Sequence, residues 1–115
     1  MTTRIRLFRE DFLTNDGRMV RNVTWGDSVP ALLGPWSEDR LIGVVTDIQR
    51  GSGGWVTGVV DTEENLTGRA AEAIMDSLVD EVVHTEEGEA LVISGARLRG
   101  VRFGTTPTWD GMVIP

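Results

Sequence analysis

The chain has 115 residues, 40% hydrophobic and 25% charged, which is enough for one core but not for two, so a single domain spanning residues 1–115 is expected. A formal charge of -7 and a pI near 4.6 argue against binding nucleic acid or anionic membrane, both of which are held through clustered positive charge. Cysteine is absent, which excludes disulfides and thiolate metal sites and leaves the redox compartment open; every basic residue is an arginine.

Met1-Thr2-Thr3-Arg4 leads straight into alternating sequence, and no later apolar run is long enough to span a membrane, so a cytoplasmic site of synthesis is expected. Arg4 to Arg9 alternates Ile5 and Leu7 with Arg4 and Arg6, the pattern of an edge strand. Asn15-Asp16-Gly17 is a turn signal, and Met19 to Trp25 a strand whose inner half is Val23 and Trp25. Val29 to Trp36 is apolar but carries Pro30 and Pro35, which predicts an ordered loop packed on the core. Arg40 to Ile48 is the strongest strand, with apolar residues on both faces and therefore two-sided burial expected. Gly51 to Gly54 reads as the tip of a hairpin leading into Trp55 to Asp61. From Thr67 to Leu78, the positions Leu66, Ala70, Ala73, Ile74 and Leu78 recur at helical spacing opposite Arg69, Glu72 and Asp76, predicting one helix. Val79 to Thr85 and Glu89 to Ser94 read as a second hairpin.

The closing segment, Ala96 to Pro115, alternates correctly only if one extra residue is inserted at Gly100. With a bulge there, Ala96, Leu98, Val101 and Phe103 face inward, while Arg97, Arg99 and Arg102 face outward. Asp110-Gly111 is a turn signal, and Met112 to Ile114 a short closing strand. The sum is an α+β, mostly β fold: a small antiparallel barrel or rolled sheet of about seven strands with one covering helix.

Little in the sequence marks catalysis. The glycine run lacks the lysine and following helix of a phosphate loop, and Glu86, Glu87 and Glu89 lack the spacing of a calcium loop. No metal site and no cofactor are expected. His84 is the lone histidine and could serve Ser77 or Ser94 as a base, but no oxyanion loop neighbours either serine. Arg97, Arg99 and Arg102 form one positive stripe. It serves either cross-strand pairing with Glu87 or Glu89, or docking on an acidic partner. Trp36 and Trp109, in proline-containing segments, either cap the core or anchor a partner.

Three ordered segments resemble the prohead (capsid maturation) protease family of tailed phages. Val29-Pro30-Ala31-Leu32-Leu33 followed by Leu41-Ile42-Gly43-Val44 is similar to the family's Pro-Leu-Leu segment and the strand after it. Trp55 to Asp61 and Gly68 to Leu78 are similar to its hairpin and helix, and Leu98-Arg99-Gly100-Val101, Pro107-Thr108 and Met112-Val113-Ile114 to its closing pattern. The family's histidine would fall where this chain has Gly34-Pro35-Trp36, and its serine within Leu78 to Val82, where none stands. The resemblance thus implies a protease-like fold without the catalytic pair. It points to a non-enzymatic virion protein: a minor capsid or decoration protein that binds the phage major capsid protein as a homo-oligomer, without nucleic acid or membrane. Such a protein would reside in the host cytoplasm during assembly and in the virion afterwards. The alternatives are a diverged maturation protease using His84 with Ser77 or Ser94, and a tail or connector adaptor. Arg97, Arg99, Arg102, Trp109 and Trp36 are the candidate contact residues.

Overall fold

The computed structural model describes residues 2–14, 17–34, 39–76, 79–85, 88–104 and 112–114, with the backbone alone at 79–85 and 88–90. Nine strands are present among them: β1 (Thr2–Arg9), β2 (Arg18–Arg21), β3 (Ser28–Leu33), β4 (Arg40–Arg50), β5 (Trp55–Thr62), β6 (Ala70–Asp76), β7 (Val79–Thr85), β8 (Gly88–Ser94) and β9 (Arg97–Gly104). Six form a sheet in the order β1-β5-β4-β3-β9-β6, curled into a half-barrel whose outer strands β1 and β6 approach each other. β2, β8 and β7 form a second, smaller sheet. Pairing is antiparallel except between β3 and β9 and between β2 and β8. The described residues contain no helix long and apolar enough to cross a membrane.

The concave side of the large sheet holds the core. Leu7, Phe8, Val45, Val56, Val60, Leu98, Val101 and Phe103 are essentially closed to water there. Two irregularities make this possible. In β1 the register shifts between Arg6 and Phe8, so the consecutive residues Leu7 and Phe8 are both buried. In β9 Ile74 faces Gly100 while Met75 faces Leu98, so Arg99 is the extra residue and the expected bulge lies at Arg99-Gly100. Ala96, Leu98, Val101 and Phe103 all point into the core, as the alternation requires.

The predicted helix is absent; residues 70–76 are strand β6, laddered to β9 from Ala70↔Gly104 to Asp76↔Arg97. The sequence fits a period of two as well as 3.6: Ala71, Ala73 and Met75 turn inward while Glu72, Ile74 and Asp76 turn outward. Seven rungs to a well-buried neighbour outweigh a helical preference of a few tenths of a kcal/mol per residue.

The proline-containing segment is also strand rather than loop. β3 lies in the middle of the sheet, with Pro30 opposite Val44. A Cβ at position 100 would sit 3.4 Å from the Pro30 carbonyl oxygen, so the polar edge of Pro30 faces β9. The first β3–β9 rung is Ala31↔Val101, one residue later, so the missing N–H falls just outside that ladder. Two-sided burial of β4 is not found either. Val45 is fully buried, but Leu41 on the other face is 67% exposed, because no other element among the described residues covers the outer side of the sheet there. The hairpin tip is as expected, a single 3-10 turn at Ser52–Gly54 joining β4 to β5. Ile114 exchanges backbone hydrogen bonds with Gly68 and Arg69, which ties the end of the described chain to the start of β6.

Candidate functional site

The convex side of the large sheet carries the predicted arginines. Strand register places Glu72, Ile74 and Asp76 of β6 beside Gly100 and Arg102 of β9, then Pro30 and Leu32 of β3, then Leu41 and Val44 of β4. Gly100 leaves room at the centre: Ile74 Cδ1 and Pro30 Cγ would each lie 3.5 Å from a Cβ at that position. Ile74, Pro30, Val44, Leu32 and Leu41 thus form an apolar band across the sheet, exposed most at Leu41.

Ion pairs border this band. Arg99 Nε lies 2.5 Å from Asp76 Oδ2, and Arg40 Nη1 lies 2.9 Å from Glu64 Oε1. Arg102 points to the convex side as expected, but it is not an exposed cation. It donates to both carboxylate oxygens of Asp39, at 2.7 and 2.6 Å, and its Nη1 lies 3.4 Å from Glu72 Oε1, leaving the residue 9% exposed. This fork geometry stabilises both charges. The Arg102 hydrogen bonds hold the Asp39 carboxyl below its ordinary value of 3.8, and Asp39 in turn raises that of Arg102.

Arg97 is exposed, with its Nη2 over Gly26, and has no ion pair among the described residues. The three arginines therefore do not form one positive stripe. Two are neutralised by carboxylates and one stands apart. Their partners are Asp39, Glu72 and Asp76, the last two hidden from sequence reasoning by the helical reading of β6. Period-two alternation of Glu72, Ile74 and Asp76 was the signal that would have found them. Trp36 and Trp109 lie outside the described residues, as do Ser77, Glu86 and Glu87.

Of the two candidate catalytic pairs, His84 with Ser77 lies partly outside the described residues, and His84 with Ser94 is divided by the backbone. In the β7–β8 ladder His84 faces Glu89 whereas Ser94 faces Val79, five rungs away, a separation of roughly 17 Å at the usual strand rise. Among the described residues no three His, Cys, Asp or Glu side chains converge to hold a metal ion. No protein-family model, no curated protein and no solved structure matches the chain.

Proposed function

We propose that the chain is a non-enzymatic phage virion protein, a minor capsid or decoration protein that docks its convex sheet face on the major capsid protein and stabilises the shell. The observation that carries this reading is the apolar band from Leu41 to Ile74, bordered by the ion pairs of Arg99, Arg102 and Arg40. An apolar centre with a polar rim is the anatomy of a protein interface, and arginines already held by carboxylates lose little conformational freedom on docking. Arg97 adds an exposed cation to the rim.

The resemblance to prohead proteases supplies the setting. It rests on the segments that form β3, β4, β5 and β9, while strand β6 stands where the resemblance implies a helix. The roughly 17 Å between the His84 and Ser94 rungs counts against Ser94 as a nucleophile served by His84, because a serine needs its base within hydrogen-bonding reach. The protein would sit on the particle in many copies, consistent with a homo-oligomer or a symmetric array, having assembled there from the host cytoplasm.

Two measurements test this. Quantitative mass spectrometry of purified particles is expected to find the protein in stoichiometric amounts; its absence would sink the proposal. Leu41→Asp combined with Val44→Asp places charge in the band at positions that do not support the core. It is expected to abolish co-sedimentation with assembled shells at temperatures well below its unfolding midpoint, which the new carboxylate opposite Asp61 lowers only modestly.

A further inference from the structure

A second surface, at the end of the sheet where β1 finishes and β5 begins, is built from arginines and aromatic rings. All four cation–π contacts among the described residues lie there: Arg6 over Trp55 at 4.4 Å, Arg9 over Trp55 at 4.9 Å and over Phe12 at 3.5 Å, and Arg50 over Trp25 at 4.5 Å. Such contacts occur roughly once per 70–80 residues, so this is a concentration and not background. Backbone conformation marks the same place. Asp11 and Asn22 adopt left-handed φ angles of 65° and 51°, a strain that collects at functional sites. Both residues, with Glu10, Arg50, Gly51 and Gly54, line a depression of about 300 Å³.

The charges here are unequally satisfied. Glu10 is buried and bonded by Arg50 Nε at 2.7 Å, Asp11 pairs with Arg21 at 3.2 Å, and Asp47 pairs with Arg4. Arg9 differs from these arginines. Its Nε donates to the Gly53 carbonyl at 2.7 Å and its plane lies over Phe12 and Trp55, yet it has no ion pair among the described residues. The guanidinium is thus oriented before any partner arrives, with its Nη groups available, and the carboxylates around it are already neutralised.

We propose that Arg9, held by Phe12, Trp55 and Gly53, is a docking point for a carboxylate of an acidic segment in a partner protein, separate from the convex apolar band. A planar guanidinium donates two parallel hydrogen bonds to a carboxylate, and its position over two rings limits the side-chain entropy lost on binding. Phe12, 41% exposed, supplies apolar contact for the stem of a bound glutamate. A nucleic-acid backbone fits less well, because polyphosphate binding draws on many clustered cations at once, whereas one oriented guanidinium matches the planar fork of a single carboxylate.

The test uses a decaglutamate peptide, with an oligo-dT strand of equal charge as the parallel probe, and reads tryptophan emission at low salt. Saturable binding of decaglutamate is expected, weakening as salt is raised, with a change in emission from the stacked rings. Arg9→Gln and Phe12→Ser are each expected to weaken it by about tenfold, and Arg9→Lys to restore only part of the loss because the fork is gone. Matching thermal midpoints establish that the variants fold, and the Leu41→Asp/Val44→Asp protein is expected to bind decaglutamate normally. No saturable binding, equal binding by Arg9→Gln, or tighter binding of oligo-dT at the same salt would each overturn the assignment.

Discussion

Arg102 illustrates how much a single residue can hide. Its outward orientation was legible from alternation once the bulge was placed, because Ala96, Leu98, Val101 and Phe103 left it no other face. Its burial was not, since Asp39 lies 63 positions away in the chain and nothing local announces the pair. The pairing has a consequence for pH. Asp39 has its folded-state carboxyl lowered by the Arg102 hydrogen bonds, so its contribution to stability is complete above the ordinary value of 3.8 and is lost as pH falls below it. Asp39→Asn is therefore expected to be less stable than the parent in urea at neutral pH, and the gap to close on acidification below that value. A gap that persisted unchanged in acid would show that the charge on Asp39 is not what matters. Glu10, unlike the exposed Asp39, is a buried acid, and its role is local: it accepts the Val23 N–H at 3.1 Å and a bond from Arg50. Glu10→Ala leaves the buried Val23 N–H without its partner, while Arg50 keeps its bond to the Val23 carbonyl, and is expected to cost about 2 kcal/mol in urea denaturation at neutral pH.

At the level of elements, strands bounded by clear turns were readable: β1, β4, β5, the β7–β8 hairpin and β9 stand close to where periodicity places them despite register shifts in β1, β4 and β9, whereas β2 ends at Arg21 instead of Trp25. β3 and β6 were not, for two different physical reasons. β3 tolerates Pro30 because the polar edge of that residue faces β9 just before the ladder begins, a detail of pairing invisible in one strand alone. β6 is alanine-rich, and alanine fits a helix or a crowded strand equally well; the choice is made by β9, which comes more than twenty residues later. The docking band depends on this outcome, since only a strand at 70–76 puts Ile74 beside Pro30 and Gly100. Close packing between strands also explains Gly43. A Cβ there would lie 2.0 Å from the Asp61 carbonyl oxygen, so β4 and β5 can approach only without one. Gly43→Ala is expected to cost about 3 kcal/mol, read as a lowered urea midpoint, because the clash is with backbone and cannot be relieved by rotating a side chain.

Across the whole molecule the two sheets are unequal partners. β5, β4, β3 and β9 are flanked by strands on both sides and carry most of the core, whereas β2 contributes four rungs to a three-stranded sheet. Val20 and Val23 join the main core, but Met19 and Val92, which face each other in the β2–β8 ladder, are buried outside it. Backbone bridges at Glu10↔Val20 and Thr24↔Arg97 connect the sheets. Such an arrangement favours opening of the small sheet without loss of the large one. Native-state hydrogen exchange is expected to show amides of β4 and β5 exchanging only through global unfolding, with those of β2 and β8 exchanging earlier through a smaller opening. Because Glu10 reaches across to the Val23 N–H, Glu10→Ala should lower the cost of that partial opening at least as much as the global one. If β2 and β5 amides were to exchange at one common free energy in both proteins, the two sheets would be a single cooperative unit and the bridges at Glu10 and Thr24 stronger than their number implies.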